Sequence, residues 1–303
     1  MNQAAANTPK LKLGLAGLGA MGQGVALNLI KKGHDLTGFD VNPKALAWLA
    51  EQGGTPGSDM RQQAAQLDVL ICFVVNAEQT EAVLFGPQGA VGALKPGALI
   101  ITCSTMPPKY VRELGQRLQQ HGHGLVDAPV TGGRVGAHAG SLTIMAAGQA
   151  EHVERARPIL ECFGKRVFVL GDQPGMGSQM KVINQLMCGV HIAAAGEALA
   201  LAKRCNLPLA TSLEILSSGA ASSWMLGDRG PRMVSEGFDD VASAVNIFVK
   251  DLGLVLDAAE QSQFDVPLAQ AAHHSFVAAA ADGLGALDDS AVFKYYCDKA
   301  SKA

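Results

Sequence analysis

The feature that most restricts this fold lies near the N-terminus. An apolar run at 11–16 leads directly into Gly17-Leu18-Gly19-Ala20-Met21-Gly22, and a helical pattern follows from 21 to 32. A G-x-G-x-x-G array between strand and helix has a physical purpose. The first glycine permits a tight turn, the second lets backbone approach a pyrophosphate, and the third allows close packing of helix and strand. The helix N-terminus adds a favourable field for the anion. A second apolar run ends at Gly38-Phe39-Asp40, placing an acid eighteen residues past Gly22. That is near the spacing expected of the carboxylate that binds ribose hydroxyls. Gly17, Gly19, Ala20, Met21, Gly22 and Asp40 are therefore the expected dinucleotide contacts. A carboxylate at Asp40 repels a 2′-phosphate and no arginine follows it, so NAD is favoured. Lys44 nearby leaves NADP as the alternative.

The rest of the first half repeats the strand–helix alternation. Strands are expected at 35–40, 68–75, 98–103, 124–128, 142–147 and 167–170. Helices are expected at 43–51, 78–85, 108–120 and 151–162. This alternation reads as β-α-β units on a mainly parallel sheet. The breaker cluster Gly171-Asp172-Gln173-Pro174-Gly175-Met176-Gly177 ends it. Beyond it only helical patterns remain, at 178–205, 211–217, 241–262 and 267–282. The expected architecture is α/β: an N-terminal doubly wound Rossmann-type domain, 1–174, followed by an all-α domain, 175–303, for substrate and oligomerisation. Residues 1–9 read as a loose polar tail.

Composition narrows the function classes. With 48% hydrophobic residues and a net charge of −3, the chain has material for packed cores and no basic block for nucleic acid. No secretory signal or membrane span is expected, and none of the six cysteines forms a C-x-x-C pair. A cytoplasmic protein with reduced thiols is the expectation. The 35 glycines carry no collagen-like period, so they mark loops and close backbone approaches.

Three further segments carry chemistry. Asp127-Ala128-Pro129-Val130-Thr131-Gly132-Gly133 places successive N–H groups and a hydroxyl after a strand, which suits an anion, although an ordinary glycine loop has the same composition. Lys181, Asn184 and Gln185 stand at i, i+3 and i+4 on one helix face, just past the interdomain breaker. That spacing points to a polar cleft in which the lysine exchanges a proton with a hydroxyl or carbonyl oxygen. Lys250-Asp251 interrupts an apolar helix, and its charges either pair or face water. His121/His123 and His273/His274 lack companions at metal-ligand spacing, so no metal is expected and solvent-exposed or capping histidines are.

Together these segments resemble the β-hydroxyacid dehydrogenase family, which includes 3-hydroxyisobutyrate dehydrogenase and tartronate semialdehyde reductase. The resemblance runs from about residue 11 to 296. It includes Met21-Gly22-Gln23-Gly24 with Asn28, the Asp127–Gly133 loop, Ser104-Thr105-Met106-Pro107-Pro108, the segment from Gly175 to Lys181, and Lys250-Asp251-Leu252. It implies a lysine general acid/base at Lys181. It also implies a substrate carboxylate held by Thr131, Gly132 and Gly133, with Asn184 and Gln185 orienting substrate or lysine. Asparagine is also common in the family at the last position. Ser104 and Thr105 would lie by the nicotinamide, Ser104 on the substrate side, and Lys250 would close over the cofactor. The segments 246–257 and 288–292 resemble the L-threonate dehydrogenase branch, whose members oxidise a four-carbon sugar acid at C2. Aldehyde reduction of the tartronate semialdehyde or glyoxylate type, or 3-hydroxyisobutyrate oxidation, is the alternative. Imine reductases resemble the scaffold but commonly lack the lysine. Catalytically silent dinucleotide-binding relatives lose it and gain basic segments that this chain does not have. The expected partners are a small hydroxy acid and further copies of the chain, as a homodimer or homotetramer, with neither nucleic acid nor membrane.

Overall fold

The computed structural model describes residues 11–302, so the N-terminal polar stretch lies outside the described residues. The chain divides into two compact units, Met1–Lys181 and Val182–Ala303.

The first unit is built on a six-stranded, wholly parallel sheet. Its strands are β1 (Lys12–Ala16), β2 (Asp35–Phe39), β3 (Thr55–Pro56), β4 (Val69–Cys72), β5 (Leu99–Thr102) and β6 (Gly124–Asp127), in the order β3-β2-β1-β4-β5-β6. This is the doubly wound order, and it reverses between β1 and β4, where such sheets bind ligands at their C-terminal ends. The crossover helices are α1 (Gly22–Lys31), α2 (Pro43–Glu51), α3 (Met60–Ala64), α4 (Ala77–Phe85) and α5 (Pro108–Gln120). The strands read as continuous apolar runs because both faces are covered. Val69, Ile71, Leu99 and Ile101 enter one core, while Leu70, Cys72 and Ile100 enter the other.

Sequence periodicity placed the last two strands of this unit on the same sheet. They form a separate three-stranded sheet instead: β7 (Val130–Thr131), β8 (Leu142–Ala146) and β9 (Gly164–Val169). β7 pairs antiparallel with β8. Pro129, which lacks an N–H donor, separates β6 from β7 as the chain leaves the main sheet. Between β7 and β8 the glycine loop is itself a short helix, α6 (Gly133–His138), and α7 (Ala150–Phe163) joins β8 to β9.

The long helix α8 (Met176–Arg204) begins in the first unit and runs through the second. The second unit adds α9 (Leu209–Ser218), α10 (Trp224–Ser235), α11 (Val245–Gln261), α12 (Pro267–Ala279) and α13 (Val292–Lys302). The sequence patterns missed α10 and α13. α10 contains Gly227, Gly230 and Pro231, which mask its periodicity. Gly189 lets α8 approach α11 closely, since a Cβ there would lie 2.7 Å from Leu252. A buried ionic network ties α10 to the segment before α13. Arg229 donates through Nε and Nη2 to the two carboxylate oxygens of Asp289, at 2.9 and 2.8 Å. Arg232 reaches Asp288 at 2.6 Å, and Asp288 accepts from the Ser290 hydroxyl at 2.6 Å. Among the described residues α8 is the one helix long and apolar enough to cross a membrane, and half of its most apolar window is buried inside the protein.

Candidate active site

The glycine loop leaves β1 at the point where the sheet order reverses. Gly17 has φ +100°, and a Cβ there would sit 2.6 Å from the Phe73 carbonyl oxygen, so only glycine fits. A Cβ on Gly22 would run into the Gly17 carbonyl. At Gly19 the space is open, with no atom within 4 Å of where a Cβ would stand. Helix α1 starts with no side-chain cap and no acid in its first turn, which leaves its N-terminal field available to an anion. The Asp40 carboxylate accepts from Leu18 N at 2.7 Å and Asn42 N at 2.8 Å, so it braces the loop at the end of β2. Val41 beside it is fully exposed, at 101%, an apolar surface that the motif did not flag. An uncapped helix start, an open cradle at Gly19 and a braced acid fit a dinucleotide. Ala20 and Met21 lie in the same turn, and Lys44 is exposed in the first turn of α2.

The loop helix α6 packs directly on α1. A Cβ on Gly24 would lie 2.6 Å from the Ala137 carbonyl carbon. Asn28 Nδ2 donates to the carbonyls of Gly24 at 2.8 Å and Ala137 at 2.9 Å. The Met-Gly-x-Gly and Asn28 positions therefore join α1 to the Thr131–Gly133 loop and its helix α6. In that loop Gly132 and Gly133 both have positive φ, +129° and +62°, and Thr131 ends β7 half-buried. Ser104 is buried after β5 and accepts from the Thr80 hydroxyl at 3.4 Å, while Thr105 beside it is half-buried.

Asp127, which the sequence reading quoted only as the head of a motif, is fully buried at the end of β6. Its Oδ2 accepts from Gly175 N at 2.8 Å and Ser178 N at 2.7 Å, and its Oδ1 accepts from the Ser178 hydroxyl at 2.7 Å. Burial pushes its carboxyl up to about 6, against the opposing pull of these hydrogen bonds.

On α8, Lys181 and Gln185 are buried at 8% and 6% exposure, and Asn184 is half-buried. Asn184 Oδ1 accepts from the Cys188 thiol at 3.6 Å. Lys250 pairs with Asp251 at 2.6 Å, and the other oxygen of Asp251 accepts from Gln185 Nε2. Asp251, 2% exposed, therefore holds both Lys250, beside it on α11, and Gln185 of α8. Asp127 was not legible as a partner, because its donors lie 48 and 51 residues away in sequence. The pairing of Lys250 with Asp251 is one of the two outcomes expected of those charges, whereas the contact of Asp251 with Gln185, 66 residues away, left no local pattern.

His121, the exposed C-cap of α5, and exposed His274 agree with expectation, whereas His123 and His273 do not. His123 is buried, with Nε2 3.3 Å from the Val91 carbonyl, and His273 Nε2 lies 3.1 Å from the Val249 carbonyl. Among the described residues no group of three or more His, Cys, Asp or Glu side chains is placed to hold a metal. All six cysteines are free thiols, four of them buried.

A doubly wound dinucleotide unit and a helical unit, with a buried lysine on the long helix α8 that runs from one into the other, define a class of nicotinamide-dependent dehydrogenases. Residues 12–171 match the family model of the NAD binding domain of 6-phosphogluconate dehydrogenase, and 175–296 match that of the NAD-binding region of NADP-dependent 3-hydroxyisobutyrate dehydrogenase. The chain is 43% identical over 94% of its length to the L-threonate dehydrogenase of Cupriavidus necator, covering 95% of that protein. It is 42% identical to that of Escherichia coli K12, with 94% of each chain covered. The crystal structure of 3-hydroxyisobutyrate dehydrogenase from Salmonella typhimurium superposes with a TM-score of 0.90 at 40% identity, over 94% of this chain and 99% of that one. The chain belongs to the β-hydroxyacid dehydrogenase family, and within it groups with the L-threonate dehydrogenase branch. It is an NAD-binding oxidoreductase of small hydroxy acids.

Proposed function

We propose that this enzyme oxidises L-threonate at its C2 hydroxyl to the 2-oxo acid, with NAD preferred over NADP. The observation that carries this reading is the 39–43% identity to L-threonate dehydrogenases over almost the whole chain, together with a buried lysine at position 181. The dinucleotide supplies the hydride acceptor at its nicotinamide ring. Gly17, Gly19, Ala20, Met21 and Gly22 bind its pyrophosphate, Asp40 its ribose, and Thr105 and Lys250 its nicotinamide half. Thr131, Gly132 and Gly133 anchor the substrate carboxylate through N–H groups and a hydroxyl. Ser104, Asn184 and Gln185 orient the hydroxyl-bearing carbon. Lys181 removes the hydroxyl proton, and in the reverse direction its ammonium stabilises the developing alkoxide and returns the proton. Residues 1–174 form the cofactor domain and 175–303 the substrate and oligomerisation domain.

The chain works in the cytoplasm as a homodimer or homotetramer. An apolar stripe on α8 supports self-association. Met176, Met180, Ile183, Met187 and Leu201 are each 38–63% exposed and recur at helical spacing on the face opposite buried Val182, Ile192 and Leu199.

The test is a panel of short hydroxy acids and sugar acids assayed with NAD and NADP separately, for wild type and Lys181→Ala. L-threonate with NAD is expected to give the highest kcat/KM. The variant should lose turnover by about three orders of magnitude or more while binding NAD normally. The 40% identity to a protein described as 3-hydroxyisobutyrate dehydrogenase supports a second reading. Highest activity on 3-hydroxyisobutyrate, or on aldehyde reduction with NADPH, would replace the first.

A further inference from the structure

The reading of Lys181 as the proton-transfer group leaves open what fixes its position. We propose that Asp127 is a positioning residue for catalysis: its carboxylate clasps the first turn of α8 to the stem of the Thr131-Gly132-Gly133 loop, and so sets where the Lys181 side chain stands. The inference rests on the catalytic reading of Lys181.

The geometry is specific. Asp127 ends β6, and only Ala128 and Pro129 separate it from β7, which carries Thr131. The same carboxylate receives the Gly175 and Ser178 amides and the Ser178 hydroxyl, donors 48 and 51 residues away in sequence. Gly177 completes the fit, since a Cβ there would lie 2.8 Å from the Asp127 carbonyl oxygen. Lys181 follows Ser178 by three residues, less than one helical turn, so the clasp and the lysine are joined by a rise of only about 4.5 Å. A shift of the first turn is passed to Lys181 with little loss.

An ordinary helix start has no need of this arrangement. Helices are usually capped by a local Ser, Thr, Asp or Asn that stays near solvent. Here the acceptor is a distant, fully buried carboxylate, whose burial is unfavourable enough to push it up to about 6. What this costlier cap adds is a link between the loop assigned to the substrate carboxylate and the helix assigned to the base. Misplacing a catalytic group by about 1 Å costs on the order of a hundredfold in rate.

The experiment compares Ser178→Ala, Ser178→Thr, Asp127→Asn and Lys181→Ala in the full chain. It measures kcat and KM for L-threonate per NAD-binding site, NAD affinity by quenching of protein fluorescence, and Tm. Ser178→Ala and Asp127→Asn are expected to lower kcat per site by about tenfold or more with NAD affinity within about twofold of wild type. Ser178→Thr, which keeps the hydroxyl, should recover most of that loss. Counting per NAD-binding site separates positioning from a mere loss of folded protein. If Asp127→Asn does not fold, the two Ser178 variants decide the matter alone. Wild-type kcat in folded Ser178→Ala, with Lys181→Ala inactive, overturns the clasp and leaves the role of Lys181 intact. An active Lys181→Ala overturns both.

Discussion

A buried carboxylate shows what a single residue carries in this protein. The carboxyl of Asp127 is held up to about 6 by burial, and its titratable neighbour Cys103 is pushed up as well, first by burial. The sign of the stability effect follows by linkage. The native state keeps the proton to a higher pH than the unfolded chain, so the stabilisation is complete below about pH 4 and is lost as pH rises through about 6. Relative to Asp127→Asn, which does not titrate, the wild type should lose up to about 3 kcal/mol of unfolding free energy between pH 4 and 7. Urea unfolding of both proteins across that range checks it, and a constant difference would refute it. The sequence displayed Asp127 at the end of an apolar strand but not its donors, because hydrogen bonds across about fifty positions leave no local pattern. Asp40 is the opposite case. Its place beside the glycine loop was legible because strand, loop and acid lie within one β-α-β unit at a characteristic spacing.

At the scale of elements, the strongest constraint is the packing of α1 on α6. Gly24 faces backbone, with the Ala137 carbonyl carbon and His138 N each 2.6 Å from a built Cβ, so a side chain there must drive the two helices apart. Gly24→Val is expected to destabilise the protein by about 1–3 kcal/mol. Calorimetry should show this as a Tm lower by about 3–10 °C, and an unchanged Tm would mean the contact is soft. The helical phase of α1 was plain from its apolar spacing. Its partner was not, because Gly133–His138 is too short and too rich in glycine to show a period, so the segment read as a turn. The same short-range limit put β8 and β9 on the main sheet. Their apolar runs look like any buried strand, and sheet membership is decided by pairing partners.

For the whole molecule, the outer face of α8 makes the testable statement. If Ile183 and Met187 meet a second copy of the chain, Ile183→Glu or Met187→Glu should shift the assembly toward monomer in light scattering. A wild type that runs as a monomer would end that reading. The division of labour between sequence and structure follows the same line. The opening strand–helix–strand unit, its glycine loop and acid, and the spacing of Lys181, Asn184 and Gln185 were all determined by the sequence, because each depends on residues within a turn or one β-α-β unit. The clasp of Asp127 on Gly175 and Ser178, the Gln185–Asp251 contact and the Arg229–Asp289 pair were decided only by tertiary structure. These bring charged or polar groups together from positions distant in the chain. Burial then makes each such partner obligatory, since an unpaired charge in the interior is too unfavourable to persist.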